Sequence, residues 1–257
     1  MKLPPIKIQL ITFLSIFAIY LSSIGNDVTF LPAVFISVIS AVFLDSLATY
    51  LRTKHFIITD SSVISGLIIG YVISSQEPWW KFLFASVFAI GSKHLLRIKN
   101  KHLFNPAAFG ILSSVILLGA ATQWKGTNLW YILVPAGIYF VQKIHKLDIV
   151  IGYLVSSLIL FGTHTFIQKL PLLDVLKFQN YFFIFIMLIE PKTTPIGKKG
   201  KIIFGIAVAA LVFILTLCGV AFDAELLCLL ILNLAVPALN KLPHWPPILT
   251  FPKGIIE

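Results

Sequence analysis

Apolar residues fall in ten runs along this chain, near residues 8–24, 28–50, 61–75, 79–96, 104–122, 128–142, 148–168, 178–190, 201–220 and 222–240. Polar, glycine and proline residues collect in the gaps between them. A membrane-crossing helix takes about 20 residues, so ten of them need roughly 200 residues and leave no length for a soluble domain. The pattern predicts an all-α polytopic membrane protein forming a single membrane domain over residues 1–257.

One run stops early. A helix over 178–189 would extend only about 18 Å at a rise of about 1.5 Å per residue, against a hydrocarbon core of roughly 30 Å. Glu190, Pro191, Lys192, Thr193, Thr194 and Pro195 come next, and apolar sequence resumes only at Ile202. On one reading these residues finish the crossing as irregular backbone, which survives at membrane depth only where protein or a watery cavity satisfies it. On the other, tilt or an earlier start with Lys177 snorkelling puts Glu190 at the headgroups.

The order of features repeats. Asp60 opens DSSVISGLIIGYVISSQEP, closing at Glu77-Pro78, and Asp174 opens DVLKFQNYFFIFIMLIEP, closing at Glu190-Pro191. Each is followed by another apolar run and then by a run bearing an asparagine, Asn105 in the first half and Asn233 in the second. Five spans per half is an odd number, so the halves would lie in opposite orientations. The expectation is two inverted five-helix repeats with broken helices, about 1–122 and 128–245.

Composition agrees with a membrane chain: 58% hydrophobic, 12% charged, mean hydropathy +0.95. The net charge of +10 raises the question of nucleic acid. Assigned by span parity, Lys81, Lys125, Lys169 and Lys177 fall on one side and the other sixteen of the twenty Lys and Arg on the other. That is the positive-inside pattern, with both termini cytoplasmic, and it accounts for the basic charge without nucleic acid. Lys2 and Lys7 ahead of the first run imitate a signal peptide, but no A-x-A site follows, so an uncleaved first helix is expected. Cys218 and Cys228 read as two reduced core cysteines, or as half of an iron-sulfur site shared with another subunit.

Carboxylates near the membrane interior cost about 2.5–3.5 kcal/mol each on insertion scales, which singles out Asp45, Asp60, Glu77, Asp174 and Glu190. The stretch Thr59, Asp60, Ser61, Ser62 reads as a helix N-cap made by Asp60 or Ser61. The same helix start would offer N–H groups to a polar or anionic ligand. Asn105-Pro106 opens another helix with capping chemistry, and small residues behind it, Ala107, Ala108 and Gly110, allow close approach by a helix or a flat ligand. The histidines provide no facing pair inside the membrane for haem, no metal set is expected, and nucleotide-loop, H-E-x-x-H and G-x-S-x-G motifs are absent.

Three stretches taken together resemble the RnfD/NqrB family, the large membrane subunits of the Rnf complex and of the sodium-translocating NADH:quinone reductase. They are KHLFNPAAFGIL (101–112), FIMLIEPKTTPIGKKGKIIFG (185–205) and LLCLLILNLAVPALNK (226–241); TDSSVISGLIIGYVIS (59–74) is more loosely similar. The resemblance implies a ten-helix electron-transfer subunit of a prokaryotic cell membrane, holding flavin in a complex that moves sodium ions or protons. It departs at the connection 123–128, QWKGTN, where the family carries a G-A-T type motif whose threonine holds FMN covalently. Here only GAAT (119–122) precedes it, so Thr122 is a weak remnant and the flavin (FMN or riboflavin) is expected to bind non-covalently. The implied binding set is Thr59, Asp60, Ser61, Asn105, Pro106, Glu190, Thr193 and Thr194, with Asp60 and Glu190 on an ion pathway. Expected partners are the other membrane subunits and a soluble flavin oxidoreductase docking on the lysine-rich face. Two other readings stand beside this one: a channel or carrier for a small solute, and a membrane anchor for a soluble oxidoreductase.

Overall fold

The computed structural model describes residues 4–98, 101–177, 179–220 and 222–243. Lys2, Lys99, Phe178, His244 and Lys253, on which sequence readings rest, lie outside the described residues. The described residues are mostly helical: α1 (Ile6–Gly25), α2 (Phe30–Thr53), α3 (Asp60–Val72), α4 (Trp79–Leu95), α5 (Pro106–Leu118), α6 (Trp130–Lys143), α7 (Leu147–Ile167), α8 (Asp174–Lys177), a π-helical turn (Phe183–Met187), α9 (Lys198–Leu217) and α10 (Ala224–Leu239). A two-strand hairpin, β1 (Arg97–Ile98) against β2 (Lys101–His102), joins α4 to α5.

Four helices, α1, α2, α7 and α9, are long and apolar enough to cross a membrane, and α3, α5 and α10 are shorter apolar helices. Many large apolar side chains face outward on the long helices, among them Ile16, Ile19, Phe35, Phe43, Ile159 and Ile214. In water such a surface would be a severe liability; in lipid it is the solvated face. The chain is an integral membrane protein.

Close backbone approach fixes the helix pairs. A Cβ on Gly66 would lie 2.5 Å from Val38 Cα, locking α3 on α2, and one on Gly110 would lie 2.2 Å from Ala85 O, locking α5 on α4. Gly205 meets Ile149 O at 2.3 Å and joins α9 to α7 in the same way. Lipid tails are as apolar as leucine, so helix association rests on packing of this kind. The packed pairs include α2 with α3 and α4, α4 with α5, and α1 with α3; in the second half they include α7 with the π-turn and α9, α9 with α10, and α6 with the π-turn.

The short run before Glu190 is the centre of the core. Every residue from Phe182 to Ile189 is buried. Its helix is capped at the start by Asn180, whose Oδ1 accepts from Phe183 N at 3.0 Å, and widens so that Leu188 N donates to Phe183 O at 2.9 Å. The wider turn suits bulky side chains packed on every side. Pro191 then ends it, lacking an N–H and disfavouring helical backbone at Glu190. Tyr71 connects this core to the first half: its ring stacks on Phe17 and Phe182, and its hydroxyl donates to Leu14 O at 2.6 Å.

Two sequence readings need correction. Thr59, not Asp60 or Ser61, caps α3, with its Oγ1 accepting from Ser62 N; Asp60 is an exposed first-turn residue. Of the two cysteines only Cys228 is buried, while Cys218, free like it, is exposed just past α9.

Candidate functional site

Where the helix breaks after Ile189, side chains from distant elements satisfy the freed backbone. Asn105 caps α5 by accepting from Ala108 N at 3.0 Å, and its Nδ2 donates to Met187 O at 3.3 Å. Asn233, fully buried in α10, accepts from Asn105 N at 2.9 Å and donates to Thr193 O at 3.0 Å. Thr194 Oγ1 donates to Glu190 O at 2.7 Å, and Lys146 Nζ donates to Pro195 O at 2.8 Å. The irregular segment is therefore a built structure, held by groups that lie up to 128 positions apart in sequence.

Glu190 stands at the edge of this frame. Its Oε1 lies 2.9 Å from His102 Nε2, and its Oε2 accepts from Thr193 Oγ1 at 3.2 Å. A cavity of about 250 Å³ opens beside it, walled by apolar side chains such as Leu10, Ile68, Phe140 and Phe185, with Ser61, Ser65, His102, Asn105 and Glu190 as polar points and Lys7 and Lys192 at its edge. Of the residues predicted from sequence, Ser61, Asn105, Pro106 and Glu190 line this cavity. Thr193 and Thr194 line a second cavity beyond His102. Thr59 is set back, donating to Asp45 Oδ2 at 2.6 Å, and Asp60 lines neither cavity.

Sequence reasoning missed several partners here. Asp45, almost fully buried, is held by Lys93 at 2.9 Å and His94 at 2.7 Å, and Lys93 also donates to Ser61 Oγ at 2.9 Å, linking that cluster to the cavity wall. Lys146 is buried, and among the described residues no carboxylate is in contact with it. Burial pushes its ammonium down to about 8, with Lys201 and Lys101 adding repulsion. The signal for Asn233 was present, since it matched Asn105 in the repeat. None pointed to His102 or Lys146, because a basic residue between spans reads as solvated.

The opposite end of the bundle is tied through the connection between α5 and α6. Gln123 N and Lys125 N donate to Val72 O and Tyr71 O, the open carbonyls at the end of α3. Asp223 caps α10 through Leu226 N and accepts from Thr122 Oγ1 at 3.1 Å and Trp124 Nε1 at 2.7 Å. Thr127 Oγ1 donates to Asn180 Oδ1 at 2.7 Å. Burial raises the Asp27 carboxyl, but hydrogen bonds from Lys125, Thr29 and Ser75 outweigh it and hold Asp27 well below the usual carboxylate range. Glu77 is likewise held low against the effect of burial, by Lys81 and the Ala121 N–H.

A profile of the NQR2, RnfD, RnfE family matches residues 6–128 and 115–245, nearly the whole described chain. The chain belongs to this family. Among curated proteins it is similar to a subunit of the ion-translocating oxidoreductase complex of Aeromonas hydrophila, at 20% identity over 81% of this chain and 84% of that one. The matched region takes in the Asn105, Glu190–Pro195 and Asn233 segments that build the break, so this family member carries its distinctive geometry inside the shared sequence.

Proposed function

We propose that this family member is a membrane subunit of an ion-coupled electron-transport complex, and that its 250 Å³ cavity takes a flavin, FMN or riboflavin, without a covalent bond. The observation carrying this is the cavity's make-up: apolar walls for a flat ring system, with a few converging polar groups at one edge. Ser61, His102 and Asn105 would meet the ring edge, and Glu190 with His102 would hold a proton there. When bound, the flavin supplies one- and two-electron chemistry, and the protein sets its potential through those hydrogen bonds and the local polarity. A non-covalent mode is supported at the other end of the bundle, where the hydroxyls of Thr122 and Thr127 are both engaged within the protein.

The same reading takes α1–α7, the π-turn, α9 and α10 as ten crossings in two inverted repeats. It draws support from the parallel packing pairs, α2 with α4 and α7 with α9, α4 with α5 and α9 with α10, α1 with α3 and α6 with the π-turn. Both termini are then cytoplasmic, and so is the break. Of the two carboxylates proposed for an ion pathway, Glu190 faces the cavity and Asp60 stands outside it. The lysine-rich cytoplasmic face would receive the complex's other subunits, including a soluble flavin oxidoreductase.

The test is a flavin absorbance spectrum of protein purified in mild detergent, before and after acid precipitation. Flavin in the supernatant, lost from a folded variant whose cavity is filled by Ile64→Trp, is the expected result. Flavin in the pellet would mean a covalent bond. A folded protein with no flavin would overturn the redox reading in favour of a solute carrier or an anchor.

A further inference from the structure

The second cavity, about 580 Å³, lies on the far side of His102, and His102 and Lys192 line both cavities. Lys101 reaches it from β2, Lys192 from the break and Lys241 from just beyond the end of α10. Among the described residues, no carboxylate lines it and none of the three lysines makes an ion pair. Glu190 lines the neighbouring cavity instead, committed to His102 and Thr193. The polar groups of Asn233 and the hydroxyls of Thr193 and Thr194 are already used inside the frame. The free donors are therefore the lysine ammonium groups and the amide of Asn240, whose Oδ1 accepts from Ile196 N.

A second observation points to the same deficit of negative charge. Lys146, only 5% exposed, is bonded to Thr194 O and Pro195 O just behind the cavity wall, with no acid against it among the described residues. A buried cation without a counter-charge is costly, and here Lys101 adds to the repulsion. The carbonyl end of α10 also faces this region, but a helix terminus carries only about half an elementary charge. Lys101, Lys192 and Lys241 are exposed to solvent at the cavity rim, so the buried Lys146 alone carries this deficit, and the three rim lysines are held near it by the fold rather than paired with an acid.

We propose that this cavity is a phosphate site. Three point charges on flexible stems suit the several oxygens of a phosphate, and the apolar walls from Ile98, Leu103, Val236 and Pro237 suit the glycerol and first carbons of an anionic phospholipid. Basic pockets between membrane helices take such headgroups. The volume is far larger than a phosphate ion needs, which favours the lipid as the source over the free ion. The site does not depend on flavin in the first cavity.

Native mass spectrometry of the full chain, with phosphatidylglycerol or phosphatidylcholine added, tests the proposal. One phosphatidylglycerol should be retained at least about tenfold more tightly, a difference of about 1.4 kcal/mol. Lys101→Gln/Lys192→Gln/Lys241→Gln should abolish the preference, the three Lys→Arg changes should keep it, and Arg52→Gln/Lys54→Gln/Lys143→Gln, which removes the same charge elsewhere, should also keep it. Thermal stabilisation by inorganic phosphate, absent in the Gln variant and unaffected by phosphatidylglycerol, would assign the site to the free ion. Equal retention of the two lipids together with no effect of phosphate overturns it, as does an equal loss in the Arg52/Lys54/Lys143 variant, which would reduce the effect to general surface charge.

Discussion

Replacing Asn233 by leucine should weaken the protein more than any single apolar contact would suggest. Leucine keeps the heavy-atom count and the branch at Cγ, and its bulkier methyl groups add some overpacking at this fully buried position. Two buried backbone groups lose their partner: the Asn105 N–H, now 2.9 Å from Asn233 Oδ1, and the Thr193 carbonyl, now 3.0 Å from Asn233 Nδ2. A buried group left unsatisfied costs about 1–3 kcal/mol, whereas single hydrogen bonds between membrane helices average about 0.6 kcal/mol because the unfolded helices find other partners. Asn105 and Thr193 are both buried, at 2% exposure each, so the upper range applies. The expected loss is about 2–4 kcal/mol, read from reversible unfolding in mixed SDS micelles. If Asn233→Leu unfolded within about 0.5 kcal/mol of wild type, the break would not depend on the asparagine and its description as a built frame would be wrong.

Three further outcomes follow from the geometry. Lys146 is held at about 8 against an ordinary 10.5, so between those values the unfolded chain binds more protons and stability rises with pH. Unfolding compared at about pH 7.5 and about pH 10 should show that rise, and Lys146→Met should flatten it. Gly110→Ala places a Cβ 2.2 Å from Ala85 O; α4 and α5 must separate, at about 1–3 kcal/mol, measured in the same unfolding assay. Asp27, with its carboxyl held low, contributes stability that is present above its ordinary value near 3.8 and lost as pH falls below it; Asp27→Asn should remove that acid sensitivity and speed proteolysis within residues 119–129.

The membrane class and the place of the break were legible because both rest on local arithmetic: run length against bilayer thickness, and Pro191 after a carboxylate. The cap of α3 was misplaced by one or two residues, since Thr59, Asp60 and Ser61 all have capping side chains and only the backbone decides which one turns inward. The partners of Glu190 and Asp45 were not legible. His102 and Glu190 lie 88 positions apart, and Lys93 and Asp45 48 apart; no local pattern reports such pairings. Basic residues were counted by side as charge bias, and that count hid the few, Lys93 and Lys146 among them, that turn inward to hold the frame.

The Asn105–Asn233 contact also bears on the order in which the chain is made. The first-half asparagine leaves the ribosome 128 residues before its partner, so the α5 amide waits until α10 is made. A chain stopped at residue 220 is expected to persist with that amide unpaired and open to quality-control proteases. In a pulse-chase experiment it should be degraded several-fold faster than the full chain, and equal lifetimes would show that the first nine segments already form a finished fold.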